Sequence, residues 1–325
     1  MLIDGKKLKS RRVWGYGSLV LFAISMTGLS WLYEAQGTFR KNPLECSLPT
    51  TIDFDKIEVW SESLQVSEPF QPPFMSEFKQ CDKYLIFVGA SHSTDEESPT
   101  FQTIKSAFLK MKPQFVIAEG FPTEMGESPT AVVDAAKNCA LTNFKSCPEL
   151  LYTAHLAVKN SVPFIGGEPN DKYVYGQISK LGYSIEDLVA YYIVRQIPQW
   201  FMEGHSENEI GNLINREINL IRKTIPLASE YDLTSFQAWF KSNMGRTFKP
   251  ETIKNNDIAP NETGTLLNRL AATTGKIRDL FIIEKIQTAL QLHDRVLIVY
   301  GSGHLATQRK ALEEFLGDPK NSKPY

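Results

Sequence analysis

Short apolar runs that stop abruptly at glycine restrict the fold of this chain more than any other feature. Residues 84–88 run into Gly89, residues 115–118 into Glu119 and Gly120, residues 163–165 into Gly166, Gly167 and Glu168, and residues 295–300 into Gly301. A strand with one wet face alternates apolar and polar residues, whereas these runs do not alternate, which is the habit of parallel strands covered on both faces. Helical spacing fills the intervals, as at Ile104, Ala107, Phe108 and Met111, and again over residues 148–160, 265–292 and 305–316. The expectation is an α/β fold with a central, largely parallel or mixed sheet flanked by helices. Residues 184–244 show only helical faces, one through Ile185, Leu188, Val189, Tyr192 and Ile193, another through Ile210, Leu213, Ile214, Ile218 and Ile221. We read residues 170–261 as a helical insertion that caps the cleft and governs what enters it.

The start of the chain carries a different signal. Lys6, Lys7, Lys9, Arg11 and Arg12 precede an uncharged stretch over residues 13–33, about the 20 residues a helix needs to cross a hydrocarbon core. A cleavable signal has a shorter apolar region and a small-x-small site, which Trp31, Leu32 and Tyr33 do not supply. Residues 1–36 therefore read as a cytoplasmic tail and an uncleaved transmembrane anchor. The remainder is expected on the extracytoplasmic side, the periplasm in a bacterium. Residues 37–82, with Pro69, Pro72 and Pro73, read as a stalk, and residues 83–325 as the domain. Cys46, Cys81, Cys139 and Cys147 all follow the span and would meet an oxidising compartment. Local spacing favours Cys139 with Cys147, leaving Cys46 with Cys81; buried free thiols are the alternative. A formal net charge of −2 and the lack of a basic stripe interleaved with aromatics exclude nucleic acid as a partner.

Chemistry is expected where the strands end, because ligands of open α/β sheets bind outside the carboxyl ends of the strands. Two segments share one pattern there, LIFVGASH ending at His92 and LIVYGSGH ending at His304. Either GxxH alone has little specificity; the duplication of strand, glycine and histidine is what singles them out. Glu119 and Glu168 also end apolar runs and share that address, with helix capping or surface pairing as their ordinary alternatives. Arg278 and Asp279 interrupt an apolar helical face, either as an intrahelical pair or with Arg278 reaching into the cleft to stabilise an anion. His155, His205 and His293 lack such a context and read as structural or surface residues. Gly301, Gly303 and Ala306 spell GxGxxA after a strand, but too little chain follows for a nucleotide-binding unit.

The two GxxH motifs, Glu119, the Arg278-Asp279 pair and the terminal GSGH together resemble the TraB/GumN/TIKI group, within a wider superfamily of erythromycin-esterase-like and ChaN-like haem-uptake proteins. The resemblance covers residues 84–316. It implies a sheet-centred α/β fold and, for the TIKI branch, a metal-dependent peptidase whose site, carried over by position, is His92, Glu119 and His304, with Arg278 as the late-helix arginine. Two imidazoles and one carboxylate suit Zn, Mn, Co or Fe, and three protein ligands leave a position open for water. The resulting expectation is hydrolysis of a peptide or a small ester or amide, with Glu168 as general base and Arg278 stabilising the oxyanion. Two alternatives stand beside it: a metal-free, esterase-like hydrolysis with His92 as general base, and a non-catalytic protein in which a histidine ligates haem iron.

Overall fold

The structure is a computed structural model that describes Cys46 and residues 48–323; the expected membrane span lies outside these residues. Among the described residues no helix is long and apolar enough to cross a membrane. Along the chain, α1 (Glu62–Val66) leads into the antiparallel strands β1 (Phe74–Gln80) and β2 (Lys83–Ala90). Then come α2 (Pro99–Met111), β3 (Phe115–Pro122), α3 (Thr130–Leu141), α4 (Glu149–Lys159) and β4 (Phe164–Glu168). The helices α5 (Asp171–Lys180), α6 (Ile185–Met202), α7 (Glu207–Ile221), α8 (Leu233–Met244) and α9 (Leu266–Leu292) follow without a strand. The chain ends in β5 (Arg295–Gly301), α10 (Ser302–Leu316) and the short β6 (Lys320–Ser322).

The strands form one mixed sheet in the order β4-β3-β5-β2-β1-β6. Neighbours among β4, β3, β5 and β2 are parallel, and β1 runs antiparallel to both β2 and β6. The fold is therefore α/β, as the apolar runs require. Alternate residues of the inner strands supply two cores. Leu85 and Phe87 of β2 face α9 and α10 through Ile282, Ile286 and Leu312, while Ile86 and Val88 face α2 and α4 through Ile104, Phe108 and Ala154. Burying such side chains contributes about 1.5–3 kcal/mol each. The helices α5–α8 pack around their own core with the first half of α9, through residues such as Ile193, Ile214, Phe236 and Leu270. Side-chain caps start several of them: Ser184 and Asp187 close a capping box at α6, and Thr265 and Asn268 do so at α9.

One strand lies where none was expected. Residues 37–82 read as a stalk, yet β1 falls within that segment with Phe74 and Phe78 fully buried. Its alternation is hidden because Glu77 is also buried, held by Lys110 Nζ at 2.5 Å and by the Tyr84 hydroxyl at 2.8 Å. A carboxylate read as solvent-facing is thus an internal ion pair. Disulfides join Cys46 to Cys81 and Cys139 to Cys147.

The pairing of β3 with β4 is regular through Ala118 and Gly166 and resumes at Pro122 and Glu168. Three residues of β3 therefore oppose one of β4, a bulge of the kind that re-aims a side chain beside a site. Gly120, inside it, has φ +104°, a conformation other residues rarely adopt. At Gly166 an added Cβ would lie 1.9 Å from the Phe121 carbonyl oxygen. Gly166→Ala is expected to push β3 from β4 and cost about 1–3 kcal/mol or more; an unshifted denaturant midpoint would contradict the register.

Candidate functional site

Because β2, β3, β4 and β5 are parallel, their carboxyl ends share one edge, and four of the sequence-predicted residues sit there. His92 follows β2, Glu119 stands in the β3 bulge, Glu168 ends β4, and His304 occupies the first turn of α10 directly after β5. Arg278 and Asp279 reach the same place from the middle of α9. All the candidates thus converge.

Glu119 is the centre. One of its carboxylate oxygens, Oε2, accepts the Gly301 N–H at 2.7 Å and lies 3.9 Å from His92 Nε2. The other, Oε1, accepts from Arg278 Nη2 at 3.2 Å and lies 3.8 Å from His304 Nε2. Each imidazole is held from behind through Nδ1. His92 meets Glu149 Oε1 at 2.5 Å, and His304 meets Asp279 Oδ1 at 2.7 Å. A carboxylate at Nδ1 keeps a proton there and leaves Nε2 with its lone pair turned toward Glu119. The hydrogen bond that His92 donates to Glu149 raises the imidazole pKa against partial desolvation. Burial is the largest influence on His304 and opposes its charge, but Asp279 and Glu119 together raise the pKa there too.

Glu168 has a different task from the one expected. Arg278 donates to both its oxygens, Nε to Oε2 at 2.8 Å and Nη2 to Oε1 at 2.7 Å. Burial pushes the Glu168 carboxyl up, but the guanidinium prevails and lowers its pKa, so it holds protons poorly. The general-base role does not suit a carboxylate so engaged; Glu168 holds the Arg278 guanidinium in place beside Glu119. Tyr300, fully buried on β5, lies beside Glu168, and a Cβ on Gly167 would come within 2.4 Å of its hydroxyl. Burial first, then Glu168 and Glu119, hold the phenol well above its ordinary pKa, so it remains neutral.

The donor set suits a divalent cation. Four carboxylates, Glu119, Glu149, Glu168 and Asp279, surround two imidazoles and the single guanidinium of Arg278, leaving negative charge uncompensated. Gly301 also leaves a hollow where a Cβ would stand 3.3 Å from His92 Nε2 and 3.4 Å from Glu119 Oε2. Separations of 3.8 and 3.9 Å are a few tenths wider than the roughly 3.4 Å between donors in a tetrahedral shell with bonds of about 2.1 Å. Among the described residues no group of three or more His, Cys, Asp or Glu side chains stands close enough together to hold a metal ion without moving.

Two cavities open on Glu119. One, about 590 Å³, lies on the His92 side, with Ala90, Pro148 and Leu150 in its wall. The other, about 630 Å³, lies on the His304 side under the helical insertion, where Tyr192 and Arg195 of α6 and Glu217 of α7 contribute. Sequence reasoning missed Glu149, which looks like an ordinary acidic first-turn residue of α4, and Tyr300, which looks like one more apolar strand position. His155, His205 and His293 are outside the cluster; His293 stacks on Phe115 with ring centroids 4.8 Å apart.

No family model matches this chain, and neither a curated protein nor a solved structure matches it.

Glu149 itself is seated by a disulfide. Cys147 lies two residues before it, and the loop closed by Cys139 and Cys147 holds Asn143, Phe144 and Ser146 at positive φ. Replacing Glu149 by Gln is expected to bring the His92 pKa down toward its ordinary 6.5, read by NMR titration of the imidazole. The pair stabilises the fold fully below 6.5 and loses that contribution as pH rises through the raised value. Joint replacement of Cys139 and Cys147 by Ser should lower the same pKa part-way. An unmoved His92 titration in both variants would contradict the pairing.

Proposed function

We propose that this chain is a membrane-tethered, metal-dependent hydrolase of amide or ester bonds, in which His92, Glu119 and His304 hold one divalent cation such as Zn, Mn, Co or Fe. One observation carries the reading: two imidazoles, each backed at Nδ1 by a carboxylate, turn Nε2 toward the two oxygens of a single glutamate. Carboxylates behind metal-binding histidines fix ring orientation and tautomer in this way. The resemblance to the TraB/GumN/TIKI group supports the same choice. When bound, such a cation polarises a carbonyl and makes water nucleophilic at neutral pH. The chain's own groups do the rest. Glu149 and Asp279 hold the imidazoles, Glu168 holds Arg278 in place, and Arg278 offers its guanidinium to negative charge developing on the substrate oxygen.

The test is metal content and hydrolysis in parallel. His92→Ala and His304→Ala should each lose stoichiometric metal and at least about 100-fold in hydrolysis. His92 is two-thirds exposed, so its loss should leave the metal-free fold within about 0.5 kcal/mol of wild type. The buried His304 differs: removing it strips a partner from Asp279 and should cost about 1–3 kcal/mol, although Gln308 Nε2 still donates to Asp279 at 2.7 Å. Stoichiometric metal in both variants would end the assignment.

A second reading has its own support. Glu149 and His92 have the arrangement of an oriented general base for a water that enters from solvent, to which His92 is open. Wild type stripped of metal by a chelator and still hydrolysing at full rate would favour it over the first.

The tether rests on residues 13–33, and the two disulfides support an oxidising surrounding. A C-terminal reporter active only outside the cytoplasm should be active; a silent, well-expressed fusion would refute this topology.

A further inference from the structure

The chamber on the His304 side carries a second set of polar side chains, which the hydrolytic site does not use. Helix α6 brings Tyr191, Tyr192, Arg195 and Gln196 to its lining, α5 brings Asp171 and α7 brings Glu217. Asp171 accepts from the Thr224 hydroxyl at 2.8 Å. The side chains of Arg195, Gln196, Glu217 and both tyrosines form no hydrogen bond or ion pair among the described residues. Tyr191 is only 8% exposed. A phenol buried to that depth, lining a cavity and without a partner in the chain, points to a partner from outside it. From this lining we infer that the chamber binds a sugar ring, and that the bond cleaved at Glu119 joins an acyl group to that sugar, as an O-acyl ester or an N-acyl amide. This inference rests on the hydrolase reading and narrows it.

The charges in this wall select against simpler ligands. Tyr192 shows how close together they lie: burial is the largest influence raising its pKa, Asp171 adds to the rise, and Arg195 acts against it. A cation drawn to Asp171 would therefore meet Arg195, and an anion drawn to Arg195 would meet Asp171. Burial likewise leads in raising the Glu217 pKa; Arg216 opposes it and Asp171 adds to it, so the chain does not fully compensate this acid. A hydroxyl both donates and accepts, and can serve a carboxylate and a guanidinium alike without a charge of its own.

Neighbouring hydroxyls of a sugar ring offer two donors to the two oxygens of a carboxylate and two acceptors to the fork of a guanidinium. A peptide backbone carries a single donor and a single acceptor per residue and matches neither fork. The Tyr191 and Tyr192 rings, with centroids 5.9 Å apart and planes tilted by 43°, give the apolar faces of a sugar a surface to cover. The same chamber reaches the reacting centre, because Glu119, Arg278 and His304 also line it. In the cleavage, the oxygen of water bonds to the acyl carbon, the bond from that carbon to the sugar oxygen or nitrogen breaks, and the freed hydroxyl or amine takes the proton that water gives up. Binding energy collected along α6, remote from that bond, would be used to position the reacting carbonyl.

The experiment uses the purified full chain. Calorimetry reads the binding of cellotetraose, maltotetraose and chitotetraose, with glutamine, butylamine, butyrate and a blocked tetra-alanine peptide alongside. Released acetate reads the cleavage of chitotetraose, whose N-acetyl groups are amides, of O-acetylated cellotetraose and of 4-nitrophenyl acetate. At least one sugar should bind saturably. Tyr191→Phe should weaken that binding about three- to ten-fold, and Glu217→Gln and Arg195→Gln about ten-fold or more each. Tyr191→Phe removes only an unpartnered hydroxyl, so its denaturant midpoint should not fall, and a loss of sugar binding in this variant is then not a loss of fold. Sugar binding with these losses but without acetate release from any of the three supports the chamber and removes the hydrolase reading. Acetate release with no sugar binding, or with sugar binding untouched in all three variants, overturns the chamber and leaves the hydrolase reading standing. Tighter binding of glutamine, butylamine, butyrate or the peptide than of any sugar, or no binding at all, overturns the sugar assignment.

Discussion

The site depends on one topological constraint: the chain lays down β2 and β3 with a gap between them and fills that gap last, with β5. Only this return brings His304 opposite His92 across Glu119. Parallel pairing then aligns the strand ends, so that Ala90 stands beside Gly301 and Ala118 beside Val299. Glu119 follows the alternation of its strand: Val116 and Ala118 face α2 and α4, Ile117 faces α9 and α10, and Glu119 comes next on that side, toward Arg278 and His304.

A cluster of carboxylates in a partly closed cleft is repulsive unless something opposes it. Arg278 does so locally, bridging Glu168 and Glu119, and Asp279 turns the other way to His304, so adjacent residues of one helix serve different partners. The surplus of negative charge that remains is what the proposed cation would offset. The same surplus raises the proton affinity of both imidazoles, so protons and a metal would compete for the two Nε2 atoms.

Much of this could be read from residue order, for a physical reason. Strands covered on both faces must be apolar throughout, and residues that end them share an edge; His92, Glu119, Glu168 and His304 were therefore visible as candidates. What escaped notice depends on tertiary partners. β1 hides behind Glu77, whose burial is possible only because Lys110 and Tyr84 come to it from elsewhere. Glu149 reads as an ordinary first-turn acid of α4 and acquires meaning only from its contact with His92. Glu168 was legible as a site residue, but its bidentate bond to Arg278, across a sequence separation of 110, was not.

The late arrival of β5 also has a consequence for biogenesis. As the chain emerges from its N-terminus, β2 and β3 must wait, each with one ladder of unpaired amides, until more than a hundred further residues have been made. Both disulfides close short spans, 35 and 8 residues apart, and can form before that moment. The early half can thus be covalently secured while its central slot stays vacant. An aborted product ending before residue 295 would expose two apolar edges for pairing with other chains, and would lack His304 altogether. Completion of the sheet and completion of the His92–Glu119–His304 cluster are therefore one event.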